Sequence, residues 1–290
     1  MKAFRRFWKK TWSEKLTFFF MFLFFLLMSV LFLYPIYWML INSLKSSVAF
    51  YESSSALPKD WLFVNYIRVF TDFNIRGYTY FEMLFNSLWM TGLNIFCNLM
   101  SSMVLAYAVS KYRFPGRNFL YGLVIFIQTI PIISAGSTGY KLFYKLGMID
   151  NPLTFWIAWC VGFDFAFIVL YGAFKGVSNS YAESGRIDGA SELQIMFRLM
   201  LPQVKTVIIA LAITQAVGRW NDYSTSMIYL RSFPNLAYGI YIFDTESGYL
   251  QDAKPIYLAA IVISIIPPAV LYTCNQKIIL ENMSAGGLKG

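Results

Sequence analysis

Asp164 is the one ionisable side chain set deep in an otherwise apolar run, residues 151–174. A carboxylate there could accept a sugar hydroxyl, pair with a partner chain or carry a proton; it could equally be satisfied by backbone or water. Asn94, Asn98 and Gln128 are polar groups in other apolar runs, where they could line a solute path or hydrogen-bond between helices. Phe19, Phe24, Trp89, Phe126, Trp156 and Trp159 could stack on sugar rings or face lipid. Other chemistries are excluded outright. The chain has no histidine, which removes His-dependent triads, His-ligated metals and His proton relays. Cys97, Cys160 and Cys274 are far apart in sequence, each in an apolar run, and so are small hydrophobes rather than a disulfide framework or a zinc site. No G-x-x-x-x-G-K-[ST] stretch occurs, so the chain cannot cradle nucleotide phosphates in the P-loop manner. Glu52, Asp60, Asp72 and Glu82 would suit the acid–base chemistry of a membrane enzyme, but their spacing matches no catalytic motif.

The elements that must hold these residues are membrane helices. Of 290 residues, 58% are hydrophobic, 19% aromatic and 13% charged, with a mean hydropathy of +0.53; soluble domains carry about 25% charged residues. Uncharged runs cover 16–41, 83–110, 118–140 and 255–276, and 151–174 is broken only by Asp164. A shorter run, 206–218, extends over Asn221 and Asp222 toward Met227. Most of these exceed the roughly 18 residues that mark a membrane span. The expected fold is an all-α polytopic membrane protein of six transmembrane helices, with an intervening domain boundary only at its ends: 1–15 a basic N-terminus, 16–276 the helical domain, 277–290 a tail. Lys and Arg concentrate before the first span, at Lys111, Arg113 and Arg117, through 175–205 and in the tail. That asymmetry places both termini in the cytoplasm. It also accounts for the net charge of +9 as a topology signal, with no nucleic-acid partner implied. The first apolar run is much longer than a signal-peptide core and no A-x-A site follows, so it is an uncleaved anchor. Trp8 and Trp12, among the basic residues before it, suit the lipid headgroups.

The cytoplasmic segment 175–205 has the form of two short helices broken at Asp188-Gly189. Asn179 or Ser180 can cap the first, Gly189 can take positive φ to end it, and Ser191 can cap the second. Leu193, Met196, Phe197 and Met200 fall at helical spacing on one apolar face, and Pro202 marks the entrance to the fifth span. An amphipathic helix–turn–helix at the end of a transporter's spans suits a groove on a partner protein.

Glu183-Ser184-Gly185, three residues, Gly189, nine residues and Leu199-Met200-Leu201-Pro202 resemble the EAA loop of permease subunits of binding-protein-dependent ABC importers, E-A-A, three residues, G, nine residues, I-x-L-P. Ser184 and Gly185 stand in place of the two alanines. Ala106-Tyr107-Ala108 followed by Lys111-Tyr112-Arg113-Phe114-Pro115-Gly116 is similar to the end of the second core helix of sugar-type permeases, and Trp220-Asn221-Asp222 to their W-N-x motif. The tail from Ser284 to Gly290 is similar to the A-G-G-x-K-G terminus of the second permease of maltose-type importers. The resemblance implies a type I importer permease of the carbohydrate class. It implies further a heterodimer with a second permease, two copies of a cytoplasmic P-loop ATPase that alone binds ATP and Mg, and an extracytoplasmic solute-binding protein. Glu183, Asp188, Gly189, Leu193, Met196 and Phe197 would seat in the ATPase groove, and Ala285, Gly286, Gly287 and Lys289 would touch its interface. The chain itself would be no enzyme. An ion-coupled secondary carrier built around Asp164 is the other expectation, although no internal repeat supports it.

Overall fold

The computed structural model describes residues 11–130, 135–246 and 254–285. The N-terminal basic residues and the tail residues Gly286, Gly287 and Lys289 lie outside them. The chain divides into two compact units, Met1–Phe73 with Glu246–Ile263, and Asn74–Thr245 with Ser264–Gly290.

In the first unit, α1 (Trp12–Ser43) opens with a capping box in which the Thr11 and Glu14 side chains each accept the other's backbone N–H. Its length carries exposed large side chains, Phe22 at 65% and Phe32 at 75% among them. That is the surface of a helix solvated by hydrocarbon, where no water penalises exposure. At its end polarity turns inward. Asn42, Ser43 and Lys45 are buried, and the Asn65 amide of α3 (Val64–Asp72) donates to the Ser43 and Lys45 carbonyls at 2.8 Å each. Asn42 donates to the Ser54 carbonyl at 2.9 Å, closing the loop around the short α2 (Ser47–Glu52).

The second unit begins with a two-residue hairpin, β1 (Asn74–Ile75) and β2 (Tyr78–Thr79), turning through Arg76 and Gly77 at positive φ. α4 (Tyr80–Lys111) follows, again with a capping box, Thr79 with Glu82. Gly116 at φ +89° turns the chain into α5 (Arg117–Thr129), and α6 is Ala135–Lys145. The third expected span is therefore described as two helices either side of 131–134. The fourth is no single helix either. α7 (Pro152–Phe155) runs into a 3-10 turn, Trp156–Trp159, the chain breaks, and α8 (Phe165–Gly176) restarts. After α9 (Ser180–Ile187), the run from Glu192 through a π turn at Ile195–Met200 and a 3-10 turn at Leu201–Val204 to Trp220 is one helical stretch, α10 (Glu192–Trp220). α11 (Leu236–Glu246) and α12 (Lys254–Ala285) complete the described chain. Four helices, α1, α4, α10 and a 24-residue part of α12, are long and apolar enough to cross a membrane, and α8 is a shorter apolar helix. The core of this unit joins α4, α8, α9 and α10 through Ala106, Tyr107, Phe167, Leu170, Phe174, Ile195 and Met200. Between lipid-solvated helices such packing is held by van der Waals contact and interhelical hydrogen bonds rather than by exclusion of water.

Non-helical backbone at membrane depth persists only where its polar groups find partners. At the break before α8 two consecutive serines of α4 supply them. Ser101 Oγ accepts the Gly162 N–H at 3.2 Å, and Ser102 Oγ donates to Asp164 at 2.9 Å. The approach is close enough that a Cβ on Gly162 would lie 3.0 Å from the Ser101 backbone carbon and oxygen. Backbone cannot swing aside as a side chain does. Gly162→Ala should therefore lower stability by about 1–3 kcal/mol, seen as a lower thermal midpoint of the purified protein in detergent; an unchanged midpoint contradicts the close packing.

A second device holds the two prolines inside α12. Pro268 has no N–H to offer the Ser264 carbonyl four residues earlier, and the Trp220 indole N–H donates to that carbonyl at 3.0 Å. Trp220→Phe should destabilise by about 1–3 kcal/mol. Adding Pro268→Ala, which restores the backbone donor, should cancel most of that loss in a double-mutant cycle; independent, additive losses would contradict it.

Candidate functional site

The segment joining α8 to α10 is the most differentiated surface of the described chain. α9 ends in a Schellman turn: Gly189 at φ +78° donates to the Arg186 carbonyl at 3.1 Å, and Ala190 donates to the Gly185 carbonyl at 2.9 Å. Gly189 is required there because an L side chain at that φ is strained. Ser191 then starts α10 with a capping box, accepting the Gln194 N–H while its own N–H donates to the Gln194 side chain at 2.9 Å. Asn179 occupies the first position before α9 but makes no cap with its side chain, which accepts instead from Lys111 Nζ at 3.0 Å.

Polar bonds fix the angle between the two helices and tie both to the end of α4. Arg186 and Glu192 pair through two bonds, 2.7 and 3.2 Å, across the Gly189 turn. The Tyr112 hydroxyl donates to the same carboxylate at 2.5 Å. Lys111 Nζ also donates to the Val177 carbonyl at 2.5 Å. Burial, then the Glu192 carboxylate, push the Tyr112 phenol above its ordinary range, and the Glu192 hydrogen bond raises the already high Arg186 pKa. The exposed ion pair contributes geometry more than energy. Beneath it Ala182 and Gly185 of α9 press on α10, and a Cβ on Gly185 would come within 2.6 Å of a Leu199 methyl. The Gly185 that departs from the double alanine thus packs directly against Leu199 and Ile195 of α10.

The apolar face expected of Leu193, Met196, Phe197 and Met200 divides. Met196 and Met200 point inward with Ile195 into the chain's own core, whereas Leu193 and Phe197 remain exposed at 68% and 41%. Met196, Phe197 and Met200 lie in the π turn Ile195–Met200, whose i→i+5 bonding departs from α-helical register, and Leu193 precedes it. Met196, 5% exposed, packs in the chain's own core. Ile187, 87% exposed beside the turn, joins Leu193 and Phe197 as an unexpected member of the outer ridge, with Glu183 and Asp188 exposed alongside. Tyr112, Arg186 and Glu192 also escaped sequence reasoning, because their partners lie 6 and 80 residues apart.

Of the four residues considered for a solute path, Asn94 and Asn98 lie about one turn apart on α4, Asp164 bonds to Ser102 one turn further along, and Gln128 stands apart on α5. Asp164 lies at the N-cap of α8, accepting from Phe167 N at 3.1 Å as well as from Ser102; it sits at a helix start rather than within a continuous span. Asn98 accepts from Gln215 at 2.8 Å. Asn94 is buried with no hydrogen-bond partner for its Oδ1 among the described residues, beside a slot of about 10 Å³ lined by Trp159, Arg219, Asp222 and Asn235. Gln128 is exposed on α5. Among the described residues no group of three or more His, Cys, Asp or Glu is placed to hold a metal.

Four helices long and apolar enough to cross a membrane, together with a hinged and exposed helix pair, define a polytopic membrane protein. Residues 98–284 match the family described as binding-protein-dependent transport system inner membrane component. The chain belongs to this family of ABC-type permease subunits. It is 30% identical over 271 residues to the arabinooligosaccharides transport system permease protein AraQ of Bacillus subtilis (strain 168), covering 92% of this chain and 94% of that one. It is 27% identical to the trehalose/maltose transport system permease protein MalG of Thermococcus litoralis, covering 91% and 94%. A chain from the crystal structure of a bacterial ABC transporter involved in the import of the acidic polysaccharide alginate superposes with a TM-score of 0.76 at 25% identity, covering 92% of this chain and 98% of that one. These similarities lend nothing to an ion-coupled carrier.

Proposed function

We propose that the chain is the second permease subunit of an ATP-driven saccharide importer. It pairs with a different permease, receives its solute from an extracytoplasmic binding protein and is driven by two copies of a cytoplasmic P-loop ATPase, which hold the ATP and Mg. The observation that carries this reading is the helix pair hinged at Gly189, clamped by Arg186, Glu192 and Tyr112 and presenting Ile187, Leu193 and Phe197 outward. Such a ridge suits a groove on a partner. Because α10 continues as one helical stretch from Glu192, through its π and 3-10 turns, to Trp220, a push on the ridge as the ATPase dimer closes moves the span with it. Glu183 and Asp188 stand beside the ridge for polar contacts, and the tail from Ala285 through Lys289 completes the contact. Both termini are cytoplasmic in this reading. The saccharide class is supported by the similarity to AraQ and MalG.

The test is uptake into proteoliposomes holding the purified transporter. Uptake of labelled oligosaccharide should require ATP and the binding protein and should be indifferent to a protonophore. Uptake that runs without ATP and collapses with the protonophore contradicts the reading.

A further inference from the structure

The motif that closes α4, Lys111-Tyr112-Arg113-Phe114-Pro115-Gly116, touches the hinged pair at the start of each of its helices. At the entry to α9, Lys111 Nζ donates to the Val177 carbonyl at 2.5 Å and to Asn179 Oδ1 at 3.0 Å. At the start of α10, the Tyr112 hydroxyl donates to Glu192 at 2.5 Å. Two adjacent residues at one helix end thus hold both feet of the pair. Stability does not require these bonds. Beneath them Tyr107 of α4, Phe174 of α8, and Ile195 and Met200 of α10 already share a buried apolar core, and the Tyr107 ring meets Phe174 and Tyr112 edge-on at 5.5 and 5.7 Å. Glu192 and its partner Arg186 are each about half exposed, where polar pairs add little to folding. What the bonds add is direction, because they fix where the end of α4 stands relative to the pair.

α4 is also the stiffer lever. It runs as α-helix from Tyr80 to Lys111, 32 residues with no proline and no π or 3-10 turn, which makes it about 48 Å long at 1.5 Å per residue. α10 leaves the pair directly, but it passes through a π turn at Ile195–Met200 and a 3-10 turn at Leu201–Val204 before its regular span begins. A 3-10 stretch within a helix commonly marks a hinge. A displacement of the pair reaches α4 across two side-chain contacts and then travels along unbroken helix. Polar groups of the membrane interior stand along that helix. Ser102 donates to Asp164 at 2.9 Å, Asn98 accepts from Gln215 at 2.8 Å, and Asn94 is 4% exposed with no partner for its Oδ1 among the described residues.

We propose that Lys111 and Tyr112 are positioning residues that make α4 a second output of the ATPase stroke, so that Asn94 and Asn98 move with the hinged pair while α10 is moved directly. The proposal deepens the importer reading and rests on it for the source of the stroke. It gives the motif at the end of α4 a role in transmission, separate from the outer ridge that meets the ATPase.

The test uses the complete transporter in nanodiscs, in a background lacking the three native cysteines, with spin labels at the exposed Tyr181 of α9 and Phe85 of α4. Pulsed EPR reads the distance between them without nucleotide and after trapping the ATPase with ATP and vanadate. With Lys111 and Tyr112 intact the distance should hold within about 2 Å, because α4 travels with the pair. Lys111→Met combined with Tyr112→Phe removes the donors and keeps the bulk of both side chains. On trapping it should shift the distance by at least about 4 Å, with as much nucleotide trapped as in the intact chain. Lys111→Arg keeps a donor and should behave like the intact chain. The proposal is overturned if the intact chain's distance changes on trapping, if it holds in the double variant as well, or if Lys111→Arg shifts as the double variant does. It is overturned equally if the double variant traps several-fold less nucleotide, which would place the two residues in ATPase docking. Failure of the importer reading looks different. An intact transporter that traps no nucleotide removes the importer and the proposal together, whereas each of the other failures leaves trapping by the intact chain in place.

Discussion

Gly189→Pro should abolish ATP-driven uptake, by at least about 100-fold, in a chain that still reaches the membrane and purifies as a single species. Gly189 sits at φ +78°, and proline is fixed near −65°. Proline also deletes the N–H that donates to the Arg186 carbonyl and drives Asp188, now helical at φ −73° and ψ 0°, toward extended backbone. The end of α9 and the start of α10 would then diverge, breaking the Arg186–Glu192 bridge and scattering Ile187, Leu193 and Phe197. Of the long helices, α10 contributes only its first residue, Glu192, to these bonds. Gly189→Ala separates shape from charge and bulk, because a Cβ at that position meets nothing within 4 Å. It carries only the left-handed penalty of about 1–2 kcal/mol, so partial uptake should survive. Equal, near-normal uptake in both variants would show that the turn does not transmit the stroke.

The second large effect concerns Asp164. Its carboxylate accepts from Phe167 N and from Ser102 Oγ, bonds that a neutral amide oxygen can accept as well. Asp164→Asn should therefore keep near-normal stability and uptake. Asp164→Leu removes the helix cap, about 1 kcal/mol, and strands a hydroxyl on α4, about 1–3 kcal/mol, and should unfold roughly 2–4 kcal/mol more easily. A carrier coupled to protons through Asp164 predicts the opposite ranking for function, with Asp164→Asn inactive because it cannot take up a proton. Uptake by the two variants, each normalised to folded protein, decides between these.

Much of this architecture was legible in the residue order. Long uncharged runs announce α1, α4 and α12 because lipid tolerates nothing else at that length. The hinge was equally plain, since Asp188-Gly189 followed by Ser191 is a helix stop and a new cap in four residues. What stayed hidden depends on pairings across distance or on register. The break before Asp164 is invisible in a hydropathy profile, because its partners, Ser101 and Ser102, stand some sixty residues earlier on α4. Periodicity of 3.6 put Met196 and Met200 on one apolar face with Leu193 and Phe197, whereas the chain buries the first two and leaves the others exposed.

Whether the Gly189 hinge carries a nucleotide-driven partner is measured most directly by what the chain brings with it. Purified from its native membrane in mild detergent, the wild type should carry a second permease and a P-loop ATPase. Gly189→Pro should keep the permease and lose the ATPase. A wild-type chain that purifies with no nucleotide-binding partner, or a Gly189→Pro chain that retains it in full, would contradict the account.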